Sequence, residues 1–154
     1  MTISLKLRNY MEARGVDFDE VPHAFAFQPA LAAEASHIPG KRVAKGVLVR
    51  AGGEYMMAVV PSSKQVRFGD LGRWLGREVI LADEQDSAPL FADCELGAMP
   101  PIGAAFGLET ILDDDLLDGD DIYFEGGDHR TLVHVHGEDW RRLVGDAGHC
   151  AFSV

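Results

Sequence analysis

Along residues 3–14 (ISLKLRNYMEAR), Ile3, Leu7, Tyr10 and Met11 recur at helical spacing, and Gly15 supplies a natural stop. Residues 16–21 alternate only loosely through Val16, Phe18 and Val21, which predicts a short edge strand. Ala30 to Ser36 is alanine-rich and predicts a helix that ends before the breakers Pro39 and Gly40. VAKGVLVR, residues 43–50, reads as a strand by its β-branched content. Gly52-Gly53 predicts a hairpin turn, and EYMMAVV (residues 54–60) returns as a buried strand before Pro61. Phe68 to Leu75 reads as a short helix with Leu71, Trp74 and Leu75 on one face. Val79 to Leu81 reads as a strand, and Asp83 is placed to cap a helix starting at Glu84.

The stretch from Gly97 to Gly107, with Pro100, Pro101 and Gly103 inside it, predicts irregular chain. Strands follow at 108–112, 122–124 and 131–135, separated by the polar loops DDDLLDGDD and EGGDH, and a helix closes the pattern over 138–144 with Trp140, Leu143 and Val144. Hairpin-linked strands with scattered helices predict one α+β domain over residues 1–154, built on a mixed, partly closed, barrel-like sheet flanked by helices. There is no internal repeat and no low-complexity tract.

Composition sharpens this in three ways. Hydrophobic residues at 47% and charged residues at 25% are ordinary for a globular protein. No apolar run reaches the roughly 20 residues that span a bilayer, and the N-terminal segment lacks a signal-peptide core, so a cytoplasmic protein without a membrane partner is expected. Two cysteines, Cys94 and Cys150, are too few for a disulfide scaffold. The net charge of −11 is unevenly spread. Residues 1–77 carry 11 Lys and Arg against 7 Asp and Glu, and residues 78–154 carry 3 against 18. A phosphate-bearing ligand would be met on a local basic face in the first half; an acidic surface that serves solubility, with an incidental asymmetry, is the alternative.

Candidate chemistry concentrates at two places. Period-2 alternation puts Lys45 on one face with Val43, Val47 and Val49. A lysine on an apolar face needs a pocket or a partner, because an unpaired buried ammonium is costly; a strand-edge lysine whose stem snorkels to water is the alternative. The Gly97 to Gly103 loop offers backbone N–H donors at Gly97, Ala98 and Met99, stiffened by Pro100 and Pro101, which fits an oxyanion site and also fits a rigid turn. His134 and His136 alternate on one strand face, but with no HExxH, no paired CxxC and no clear third ligand, hydrogen-bonded or solvent-facing histidines are expected rather than a metal site. His23 and His37 read the same way, although either can approach a ligand. Cys94, three residues before the glycine loop, is either a nucleophile or a buried structural thiol.

Taken in order, HIPGKRVAKGVLVR, AVVPSSKQVRF, ELGAMPPIG and EGGDHRTLVHV resemble the YbaK/ProRS-editing-domain family of aminoacyl-tRNA deacylases from about Val21 to Val144. The markers are Lys45 and the Gly-x-x-x-Pro loop beginning at Gly97. The resemblance implies hydrolysis of the ester of misacylated tRNA in trans, at the 3′ acceptor end. It implies Lys45 at the terminal nucleotide or ester, and Gly97, Ala98 and Met99 positioning carbonyl and water. It further implies a substrate pocket from His23, Gly46, Pro100, Pro101, Gly103 and the turn holding Gly127, Asp128 and His129. Relatives carry asparagine or alanine where Gly46 stands. No cofactor and no metal are implied; a synthetase is a possible partner, and a monomer or weak dimer is expected. A module of the same fold that binds tRNA or a synthetase without hydrolysis is the alternative.

Overall fold

The structure, a computed structural model, describes residues 2–154. Helix α1 (Leu5–Ala13) starts where the Ser4 hydroxyl accepts the Leu7 N–H at 3.2 Å, and it buries Leu7 and Met11. Strand β1 (Asp19–Pro22) is an edge strand, and α2 (Pro29–Ala35) begins on a proline, whose missing N–H costs nothing there. Strands β2 (Val43–Ala51) and β3 (Glu54–Pro61) form the Gly52-Gly53 hairpin. Helix α3 (Phe68–Leu75) stops at Gly76, which takes a left-handed φ of 70°. Strand β4 (Val79–Leu81), α4 (Glu84–Leu90), β5 (Glu109–Asp113), β6 (Ile122–Glu125), β7 (Thr131–Val135), α5 (Gly137–Val144) and β8 (Gly148–Cys150) complete the chain.

The eight strands make one mixed sheet in the order β1-β7-β6-β2-β3-β5-β8, with β4 also paired to β2. The β2/β6, β3/β5 and β5/β8 pairs are parallel and the others antiparallel. The mixed α+β architecture is as expected; the sheet stays open, with β1 and β8 at its two ends.

Strand β3 explains its own unbroken apolar run. Met57 and Val59 pack into one core with α1, Phe91, Phe124 and Trp140, while Met56, Ala58 and Val60 pack into a second with Leu71 and Phe152. A strand covered on both faces has no position for a polar residue. A third, smaller cluster sets Ala32 and Ala33 of α2 on Val43 and Leu132.

Three expectations need correction. Asp83 stands at the start of α4, but its side chain makes no capping bond there. Residues 103–106 form a 3-10 turn inside the stretch expected to be irregular. Strand β8 was not foreseen: it is short, polar and parallel to β5, so neither apolar alternation nor a hairpin turn announces it.

Candidate active site

Strand β2 pairs with β3 along almost its whole length, but its other edge is interrupted. Strand β6 covers only Val43 and Ala44, and β4 covers Val49 to Ala51. The Ala82 N–H donates to Leu48 O at 3.0 Å, which leaves Lys45, Gly46 and Val47 at a notch with no strand beside them.

Lys45 lies on the face it was expected to share with Val43 and Val47, between the cluster under α2 and the cluster under α3. Its side chain is half-buried and has no hydrogen bond or ion pair among the described residues. Burial pushes its ammonium below the usual lysine range.

Gly46 faces the opposite way, and the glycine loop packs onto it. A Cβ there would sit 2.6 Å from Met57 Sδ and 3.3 Å from Pro101 Cα, so a larger residue would require the Met57 side chain to shift and the loop to give slightly. Gly97 takes a φ of +80°. The Ala98 N–H donates to Glu95 O at 3.0 Å and is spent on that turn. This corrects the expectation of three free donors: the N–H groups of Gly97 and Met99 are the ones without an acceptor among the described residues. Pro100 and Pro101 are buried beneath the loop. Gly103 lies in the 3-10 turn, where a Cβ would collide with Thr110 Oγ1. A cavity of about 200 Å³ opens beside Met99, lined also by Cys94, Glu95 and Leu96.

The β6–β7 turn ties the glycine loop to the β1–α2 segment. Gly127 O accepts the Glu95 N–H at 2.8 Å, holding the approach to the loop. His129, itself at a φ of 61°, is 3% exposed and sets Nε2 2.7 Å from Leu96 O and Nδ1 3.1 Å from Ala26 O. One ring thus spans the loop on one side and the β1–α2 segment on the other. Asp128 is equally buried and accepts the Arg130 N–H at 2.9 Å and the Thr131 hydroxyl at 3.0 Å, shaping the turn. Both side chains are buried and spent on holding backbone in place. His23 belongs to the β1–α2 segment, where its N–H donates to Arg130 O at 2.8 Å; its Nε2 is buried without a partner among the described residues.

Three residues at this place are absent from the sequence-based expectations. Glu125 ends β6 with 5% exposure, accepts the Gly127 N–H at 2.8 Å and lies 4.0 Å from His129 Nδ1; burial raises its carboxyl above the usual range. A glutamate closing the apolar IYFE strand was the available signal. Phe25 and Phe27 meet edge to face at 4.8 Å and cover the His129 ring at 5.2 and 5.4 Å. Phe27 is 68% exposed, and Arg130 lies over Phe25.

Two other candidates resolve. The Cys94 thiol is pushed up to about 12, chiefly by burial and secondarily by Asp93, so it is not the thiolate a nucleophile requires. The basic face of the first half is largely internally paired: Arg42 with Asp118 and Asp120, Lys64 with Asp115, Arg67 and Arg73 with Asp70, and Arg77 with Glu54. Lys45 stands apart from that network. A separate cavity of about 320 Å³, between α1 and α5, is lined by Gly103 but by no other candidate site residue read from the sequence.

The sequence profile of the aminoacyl-tRNA editing domain matches residues 23–143. The chain belongs to this family. No curated protein sequence matches it significantly. Among solved structures, the hypothetical protein APE2540 is similar at a TM-score of 0.84 and 20% identity, covering 97% of this chain and 99% of that one. A protein described as a candidate trans-editing enzyme for prolyl tRNA synthetase is similar at a TM-score of 0.80 and 21% identity over 97% and 95% of the two chains. A candidate signal transduction protein from Marinobacter aquaeolei VT8 matches at 0.78 and 15% identity, with this chain spanning 30% of its length. At these identities the likeness is one of fold. No helix among the described residues is long and apolar enough to cross a membrane.

Proposed function

We propose that this editing domain is a deacylase acting in trans on the ester of misacylated tRNA, with the notch at Lys45 as its active site. The observation that carries the reading is a half-buried ammonium with no counter-ion among the described residues, at the interruption of β2, in a chain of the editing family. Such a group is costly unless a ligand supplies the missing anion, and a terminal phosphate or polarised ester carbonyl does so.

Water attacks the ester carbonyl carbon, and the developing oxyanion is received by the N–H groups of Gly97 and Met99. Collapse breaks the carbon–oxygen bond to the ribose, and the proton lost by the water passes to the departing ribose oxygen. The products are the free amino acid and tRNA with its terminal hydroxyl restored. No protein nucleophile enters, which accords with the raised Cys94 thiol. Catalysis by positioning suffices for an ester, since well-oriented reactants can save about 7–11 kcal/mol of barrier. The exposed Phe25–Phe27 pair is suited to stacking an unpaired base of the acceptor end. The cavity beside Met99 is suited to the amino-acid side chain.

The test is turnover on a panel of mischarged tRNAs, beside simple amino-acid esters. Catalytic release from at least one mischarged tRNA supports the reading. Tight binding of aminoacyl-tRNA with no turnover selects a non-catalytic module instead.

A further inference from the structure

A second cluster lies farther along β7. Register brings it together: Asp19 of β1 pairs with His134, and His134 pairs with Tyr123 of β6. Asp121, one residue before β6, therefore comes opposite His136, one residue past β7. His134 Nε2 lies 2.9 Å from Asp121 Oδ2, and His136 Nδ1 lies 3.4 Å from the same oxygen. The donor atoms of Asp121, His134 and His136 all fall within 4.8 Å of one another. On the far side of the imidazole, His134 Nδ1 lies 3.1 Å from Asp19 Oδ2, and the Tyr123 ring stacks on the imidazole at 4.6 Å.

We propose that Asp121, His134 and His136 form a zinc site, with Asp19 as the carboxylate that orients His134. Zinc bonds of about 2.0–2.2 Å place neighbouring donors of a tetrahedron roughly 3.3–3.5 Å apart, and the two measured edges lie within a few tenths of that. The remaining edge, between the histidines, closes by a swing of His136, whose side chain is 66% exposed. Asp19 holds the imidazole proton on Nδ1, which turns the Nε2 lone pair toward the metal; a carboxylate behind a histidine ligand is the usual support for such a site. Two nitrogens and one oxygen match zinc, and they leave a fourth position for water or a ligand atom. The neighbouring acids do not compete, because Asp118 and Asp120 are paired with Arg42. The site is independent of the deacylase reading, since none of its residues belongs to the Lys45 notch.

Equilibrium dialysis of the purified chain against micromolar zinc, read by elemental analysis, tests it. One equivalent is expected in the wild type, with Co²⁺ substitution giving the intense visible bands of a tetrahedral centre. His136→Ala and Asp121→Asn are expected to lose stoichiometric binding, and Asp19→Asn to weaken it about 10–100-fold. His149→Ala, which breaks the separate His149–Asp114 pair, is expected to leave it unchanged. Because His136 is exposed, its replacement leaves the core intact, and circular dichroism confirms that. Absence of stoichiometric zinc in the wild type overturns the proposal, and so does binding that survives both His136→Ala and Asp121→Asn.

Discussion

His129 Nε2 lies 2.7 Å from the carbonyl oxygen of Leu96, so a buried histidine on the β6–β7 turn holds the residue that precedes the Gly97 loop. The other ring nitrogen holds Ala26 O, and Phe25 and Phe27 close over the ring. His129 is in this account a positioning residue. Replacing it with alanine frees the loop, and a displacement of about 1 Å at a reacting geometry costs on the order of 10²-fold in rate. We expect His129→Ala to lower kcat for deacylation far more than it raises KM, in steady-state kinetics on a mischarged tRNA. An equal effect on both would remove the positioning role.

Phe27 is expected to behave differently. Its side chain is largely exposed, so Phe27→Ala should leave thermal stability within about 0.5 kcal/mol of the wild type. Loss of a stacked base costs about 1–3 kcal/mol, which predicts a KM raised roughly 5- to 150-fold with kcat little changed. Phe27→Trp should restore affinity. Unchanged KM in the alanine variant would place the acceptor end elsewhere.

Gly46→Ala tests the packing of the loop on β2. The added methyl group meets Met57 Sδ and Pro101 Cα, and overpacking of this kind costs about 1–3 kcal/mol. Met57→Val withdraws the sulfur, so the double variant should be more stable than the sum of the single changes. Denaturant midpoints of the four proteins give the coupling; strict additivity would show that the contact does not limit this site.

Glu125 gives a pH signature. Burial raises its carboxyl in the folded state above its unfolded value. Its contribution to stability is therefore present below the ordinary carboxylate value and is lost as pH rises through the raised value. Asp93, Asp118 and Asp121 have lowered values and slope the opposite way, so a difference against a variant is the useful measure. Glu125→Gln keeps an oxygen for the Gly127 N–H and removes the titration. Wild-type stability should fall relative to this variant across that window. Parallel stability curves would contradict the buried carboxylate.

What could be read from the chain follows from what each element depends on. The β2–β3 hairpin, α3 and β7 rest on apolar period and on local turn residues such as Gly52 and Gly53, so they were legible to within a residue or two. β8 depends on pairing with β5 rather than on any pattern of its own, and it was not legible. Lys45 could be picked out because it breaks an apolar face. Its isolation could not, since that depends on β6 ending early and on Arg42 and Lys64 each finding an acid elsewhere in the fold. Ala98 looked equivalent to Gly97 and Met99 as a donor, and only the turn to Glu95 distinguishes it. His134 and His136 gained their third partner, Asp121, through strand register, which spacing along the chain does not reveal.

Lys45 carries the central claim. On the proposed reading its half-buried ammonium is held at the notch at the expense of stability, so Lys45→Met should unfold at a slightly higher temperature than the wild type by calorimetry. The most direct measurement is single-turnover hydrolysis of a mischarged tRNA by the wild type and by Lys45→Ala, with folding of both verified. The account predicts rapid release by the wild type and a loss of about 10²-fold or more in the variant. Hydrolysis that proceeds undiminished in Lys45→Ala would contradict it.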